Sequence, residues 1–216
     1  MSKTDVSSER AYRALKDLIE TNTLQQGEAL SERSVAERLS LSRTPVREAM
    51  RALAKEGLLE IVPLRGTFVR QHSIADLREI HEVRLAVEPM AAGLAAQRGA
   101  TPRLEACVDA LRTVLNSEPV DVLAAQTAGW ELHDAIFEAA DNRRLASIYH
   151  AMRSECGLAM RQVAQYDVER TRAAISEHLA IAQAIVERDV EQARWLVTDH
   201  LSRAHQSRID VLTTGK

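Results

Sequence analysis

Two groups of side chains in this 216-residue sequence have types and spacings suited to chemistry. The first is Ser42, Arg43, Thr44 and Arg47, with Arg33 upstream and Arg65-Gly66 downstream. Arg43 and Arg47 are four residues apart, so on a helix they share a face. An arginine can fork onto O6 and N7 of guanine in the major groove. Ser42 and Thr44 at a helix N-terminus can hold a phosphate beside the free backbone N–H groups of the first turn. Gly66 at a turn lets backbone approach a minor groove, and Arg65 can reach into one. A lone run of this kind reads more plainly as a solvated basic face, but the turn before it, the Gly57 stop and the β-rich wing after it all favour DNA binding.

The second group is His133, His178 and His200. Each lies on an apolar helical stripe. His133 goes with Trp130, Phe137 and Ala140, His178 with Ile175, Ala182 and Ile185, and His200 with Ala193, Leu196, Val197 and Ala204. Taken singly, each reads as a hydrogen-bonded core histidine. Three imidazoles converging from three helices would suit a divalent metal such as Zn²⁺ or Ni²⁺. Both readings are open from the residues alone.

The elements that must position these groups follow from periodicity. Val6–Thr21 has helical apolar spacing, with Ser7 or Ser8 as a cap. Ser31-Glu-Arg-Ser34 opens a second helix, Leu41-Ser42 makes a turn, and Ser42 is placed to cap a third. Pro45 falls inside its first turn and Gly57 ends it. Leu58–Val62 and Thr67–Arg70 are short β-rich runs joined by Pro63-Leu-Arg-Gly66, a hairpin. Helix, helix-turn-helix and hairpin make a winged helix-turn-helix.

From Ser73 onward only helical periodicity remains. Helices are expected near 73–98, 102–117, 119–140, 142–165, 167–188 and 189–212, with Pro89 as a kink and Pro102 and Pro119 just inside helix starts. The fold class is mainly α: an N-terminal winged helix-turn-helix with a small β-hairpin wing over 1–72, then an all-α antiparallel helical bundle over 73–216. Bundle cores are natural ligand and metal sites.

Bulk properties agree. The net charge of −3 excludes a general polyanion binder. Charge is uneven, however: residues 1–70 hold 12 Lys/Arg against 10 Asp/Glu, and the remainder 16 against 21. Aromatics are only 3%, as suits Ala/Leu helix packing. Cys107 and Cys156 show no ligand spacing and read as buried thiols. No stretch reaches the ~20 apolar residues of a membrane span, and no leader-like apolar segment opens the chain, so a cytoplasmic location and no membrane partner are expected. No phosphate-binding glycine loop occurs.

Residues 24–70 resemble the DNA-binding domain of the GntR family of bacterial transcription regulators. The resemblance rests on Leu30-Ser-Glu, Leu39, Ser42-Arg-Thr-Pro-Val-Arg-Glu-Ala49, Leu53, Glu56-Gly-Leu58 and Arg65-Gly66-Thr-Phe-Val69. It implies operator contacts from Arg33, Arg43, Thr44, Arg47 and Gly66, and a homodimer on a short palindrome of double-stranded DNA. Residues 73–216 resemble the FadR-type C-terminal domain (FCD), through Val83-Arg84-Leu85, Glu88, Leu132-His133, Asn142, Leu145, Glu177-His178, Ala184-Ile185, Asp189, Ala193 and His200-Leu201. There one Asp and three His bind a metal beneath a small carboxylate. The three histidines match, but Gly129 stands where the Asp is expected, one turn before His133. Three outcomes are open: metal on three histidines with water or effector oxygens, weak metal, or an anionic effector held by the histidines directly. The first is carried forward.

The resemblance also places Arg84 near the cavity, either on an effector carboxylate or paired with Glu88, one turn away; pairing is favoured. Arg153, between Tyr149 and Cys156, is a second candidate for a bidentate carboxylate grip. Tyr149 and Arg161 are weaker candidates. Trp130, Trp195 and Phe137 read as packing residues.

The function expected is a DNA-binding transcription regulator, a repressor by family habit, whose operator affinity is set by a small organic acid. It is not expected to be an enzyme. The alternative is a metal-dependent hydrolase fused to a DNA module; against it, no HExxH occurs and no carboxylate stands beside the histidines as a general base. A third reading is a DNA-binding protein that answers to no effector, which the polar residues of the second domain oppose.

Overall fold

The computed structural model describes residues 3–161 and 168–214, leaving aside the side chains at 3–5, 154–156, 158–161 and 214. Cys156 and Arg161 therefore fall outside the described side chains. Two compact units are present: 1–73 with 151–162, and 74–150 with 163–216.

The first unit contains α1 (Lys3–Glu20), β1 (Ala29–Leu30), α2 (Glu32–Leu39), α3 (Arg43–Lys55), β2 (Leu59–Val62) and β3 (Gly66–Val69). Ser31 caps α2: its hydroxyl accepts from Ser34 N–H at 3.0 Å. Ser40 ends α2 in the left-handed region at φ 52°, and this reverses the chain into α3. Leu15, Ile19, Val46, Leu53, Leu58 and Val69 are buried in one core that fixes α3 against α1 and the sheet. Gly57, at φ 72°, ends α3 where an L-residue would be strained.

Ser7 and Ser8 lie inside α1 rather than at its start, because the helix begins earlier than the apolar stripe that revealed it. Ser42 occupies the N-cap of α3 with extended backbone, but its hydroxyl makes no capping bond. The wing also has a third strand, ordered β1-β3-β2; two residues, Ala29 and Leu30, are too few to show alternation. Residue 62 pairs with residue 66, and the tip is Pro63-Leu64-Arg65.

The second unit is helical: α4 (Ile74–Arg98), α5 (Pro102–Leu115), α6 (Val122–Ala139), α7 (Arg143–Arg161), α8 (Val168–Val186) and α9 (Val190–Thr214). The C-terminal part of α7 groups with the first unit. Asn142 and Asp189 cap α7 and α9 by accepting from Leu145 N–H and Gln192 N–H. Asp141 and Arg188 make the turns at positive φ. Pro119 follows a cis peptide and lies before α6, not inside it; Asp121 is the cap, accepting from Ala124 N–H at 2.9 Å. Buried Leu104, Leu111, Leu132, Ile136, Ile175, Ile181, Ile185 and Val197 join α5, α6, α8 and α9, and Ala91, Ala92, Ala95 and Ala96 let α4 approach closely.

Candidate functional site

On the first unit, Ser42, Arg43, Thr44 and Arg47 are exposed on the opening turns of α3. The uncapped Ser42 leaves the first-turn N–H groups of α3 able to meet an anion. Arg33 is exposed on α2 and bonded to Glu37 at 2.9 Å. Arg65 is exposed at the wing tip, and Gly66 takes φ 120° with open space where a Cβ would project. Glu32, to which the sequence reading gave no role of its own, joins this group. Glu32 receives Nε and Nη2 of Arg47 at 2.6 and 2.7 Å and Nη2 of Arg43 at 3.4 Å. Arg47, and then Arg43, hold the Glu32 carboxyl below its ordinary value.

In the second unit α6, α8 and α9 bring His133, His178 and His200 together. Each offers a ring nitrogen, and those atoms lie within 4.8 Å of one another. All three rings are buried. Carboxylates fix two of them. His133 Nδ1 lies 2.8 Å from Glu88 Oε2 on α4, and His200 Nδ1 lies 2.7 Å from Glu177 Oε2 on α8. A proton on each Nδ1 leaves both Nε2 lone pairs for a metal, the arrangement in which outer carboxylates orient ligand imidazoles. Glu177 is itself held by Arg170 at 3.1 and 3.2 Å.

The donor set fits a divalent ion. His133 Nε2 and His178 Nε2 are 3.3 Å apart. Two nitrogens each about 2.0–2.1 Å from a tetrahedral zinc are separated by about 3.3 Å. Burial, the neighbouring imidazoles and the Arg84 and Arg170 guanidiniums push His178 well below its ordinary value. Burial, His133 and the same arginines do so for His200, against a smaller opposing effect of Glu88. Both rings are neutral near pH 7, which is the metal-binding form.

Gly129 is explained by His178. A Cβ at residue 129 would sit 2.6 Å from His178 Cε1 and 3.1 Å from its Nδ1. The ring fills the space beside the α6 backbone, so a side chain at 129 and this placement of His178 exclude each other.

Arg84 and Glu88 form a buried ion pair one turn apart on α4, the favoured of its two expected roles. Burial alone would raise the Glu88 carboxyl; the Arg84 guanidinium and His133 outweigh it and hold Glu88 well below the carboxylate range. Trp130 packs beside Arg84, with the guanidinium carbon 5.7 Å from the ring centre. Tyr149 is buried and stacked on Phe137 at 4.1 Å. Arg153 lies in the part of α7 that belongs to the first unit. Trp195, expected to pack, is 57% exposed. Carboxylates do stand beside the histidines, contrary to expectation. Glu177 directly precedes His178, and Arg170 is two helical turns before Glu177, so the periodicity of α8 contained this signal. They bond to ring nitrogens, which orients ligands rather than activating a water.

Comparison with known proteins agrees with both halves. The FCD domain profile matches residues 79–203, and that of the bacterial regulatory proteins of the gntR family matches residues 7–69. The chain belongs to the GntR family, in its FCD-bearing branch. It is 35% identical over 127 residues, 59% of this chain and 74% of the relative, to an HTH-type transcriptional regulator of the ttuE-ttuC′ intergenic region in Agrobacterium vitis. It is 38% identical over 88 residues, 41% of this chain and 39% of the relative, to the HTH-type transcriptional repressor RspR of Escherichia coli K12. Among solved structures, a GntR regulator from Rhodococcus sp. RHA1 shares the fold, with TM-score 0.80 and 24% identity over 94% of this chain and 97% of that one. A zinc-bound FCD domain aligns at TM-score 0.54 and 19% identity over 67% of this chain and 99% of that one. This GntR chain is thus a DNA-binding regulator of transcription and not an enzyme. No described helix is long and apolar enough to cross a membrane.

Proposed function

We propose that this GntR protein is an effector-responsive repressor in which a metal-assisted organic-acid site, within 73–216, governs the DNA affinity of a winged domain, within 1–72. The observation that carries the reading is the buried triad of His133, His178 and His200, with two of its rings oriented by Glu88 and Glu177. A divalent ion, zinc or nickel by its all-imidazole donors, would supply Lewis acidity toward an oxygen ligand. With no carboxylate in the donor set, three neutral rings leave the ion's charge undiminished, which favours a small carboxylate in the open position.

The protein's own residues suggest how binding is transmitted. Glu88 connects Arg84 on α4 to His133 on α6. A shift of His133 therefore acts on α4, which follows β3 after only residues 70–73. An acid that binds one arrangement of α4 better than another shifts the population by that difference in affinity. On DNA, two copies acting as a homodimer would place Arg33, Ser42, Arg43, Thr44, Arg47, Arg65 and Gly66 on the half-sites of a short palindrome, with Ser42 and Thr44 on phosphate. Its buried ion pair with Glu88, which also holds His133, makes Arg84 a positioning residue; Tyr149 packs on Phe137, and Arg153 is the remaining candidate for a bidentate grip on the effector carboxylate.

The test is metal analysis of protein purified without chelator, followed by melting with a panel of small organic acids. About one divalent ion per chain is expected, together with acid-dependent stabilisation that chelator removes. A ligand at ~100 times its dissociation constant adds roughly 2.7 kcal/mol. Metal-free protein whose response to acids ignores chelator would overturn the metal-assisted reading.

A further inference from the structure

Glu32 carries a consequence of its own. It is the first residue of α2, yet its carboxylate lies against the face of α3 that bears the recognition arginines. Its two oxygens take Nε and Nη2 of Arg47 at 2.6 and 2.7 Å, and Oε2 also receives Nη2 of Arg43 at 3.4 Å. Arg47 is 48% and Arg43 65% exposed, whereas Glu32 is 27% exposed. A guanidinium has two usable forks. Glu32 occupies the Nε/Nη2 edge of Arg47 and leaves the Nη1/Nη2 edge directed elsewhere. That remaining edge matches O6 and N7 of guanine.

We propose that Glu32 is a positioning residue for base recognition, holding Arg47, and more loosely Arg43, with the outer guanidinium edge set for a guanine. The proposal rests on the DNA-reading role of α3 given above. An exposed ion pair contributes little to folding, so the function of this one lies in orientation. A long arginine side chain must otherwise lose its rotamer freedom on the DNA, and without the carboxylate two guanidiniums one turn apart repel each other. Glu32 also adds negative charge near the duplex, which weakens attraction to the phosphates of any sequence alike. The ratio of specific to non-specific binding is raised by the orientation of Arg47 alone.

The test uses the full-length chain. A duplex is selected by the wild-type protein from a randomised DNA library. Affinities for that duplex and for an unrelated duplex of equal length are then measured for wild type, Glu32→Gln, Arg47→Ala and the double variant. Glu32→Gln keeps the shape and removes the charge, and a melting curve checks its fold. Its ratio of selected to unrelated affinity is expected to fall roughly tenfold, within the range of one bidentate base contact. Its low-salt affinity for the unrelated duplex should hold or rise. In the Arg47→Ala background the same substitution should change the ratio little. An unchanged ratio for Glu32→Gln, an equal gain on both duplexes, or a full effect without Arg47 would overturn the proposal. A wild-type protein that selects no sequence would instead overturn the DNA-reading role on which it rests.

Discussion

The imidazole of His178 occupies the space that a side chain at residue 129 would need, with Cε1 2.6 Å from the position of a Cβ. The glycine at 129 and the placement of His178 are therefore a single feature of α6 and α8. The glycine is required by His178.

Gly129→Ala should be destabilising. In an ordinary helix interior this change gains roughly 0.5–1 kcal/mol. Here the added methyl meets a buried ring, and overpacking costs about 1–3 kcal/mol. Denaturant melts of metal-free protein should show a lower midpoint for the variant. A higher midpoint would mean that His178 moves aside freely and that its placement is not fixed.

Acid should weaken the metal-free protein. The folded rings of His178 and His200 titrate well below 6.5, whereas unfolded histidines take up protons as pH falls through that value. The unfolded chain then binds more protons, so stability falls as pH falls. Glu88 acts with the same sign at lower pH: its contribution is present above the ordinary 4.5 and is lost as pH descends through its depressed folded value. Chelator-treated protein should therefore unfold at lower urea near pH ~5.5 than near pH ~7.5. Equal midpoints would contradict neutral, buried rings.

Glu88→Gln should damage two properties together. Arg84 and His133 both lose their ionised partner, and breaking a buried pair costs about 3–5 kcal/mol. Losing an outer-shell carboxylate also lowers metal affinity by roughly 10–100-fold. Calorimetric metal titration alongside melting would check both. Unaltered metal affinity in a folded variant would show that Glu88 serves folding alone.

How far these sites could be read from sequence depended on whether their cause was local. Helix periodicity and the motif around Ser42-Arg43-Thr44 located α2, α3 and all three histidines, because apolar spacing is a property of one helix. The strand at Ala29-Leu30 was too short to show a period, and the cap that starts α6 is Asp121, two residues after the proline that marked the helix start in the sequence. The pairs Glu32–Arg47, Glu88–His133 and Glu177–His200 were missed because each joins different helices. Gly129 looked like a defect for the same reason, since the ring beside it comes from 49 residues downstream.

Arg43→Ala should leave melting behaviour and metal binding unchanged while weakening operator binding. The loss expected is about 1–3 kcal/mol for each base contact removed, with a shallower dependence of affinity on salt if a phosphate contact is lost as well. Fluorescence anisotropy on a labelled operator at several salt concentrations would measure both. Wild-type affinity in the variant would remove the opening of α3 from the DNA interface.

The most direct measurement is a zinc or nickel titration of chelator-stripped full-length protein, wild type against His178→Ala, by calorimetry. Wild type should bind one ion per chain, and the variant should lose that binding while remaining folded. Identical titrations, or no saturable binding by wild type, would contradict a metal centre at His133, His178 and His200.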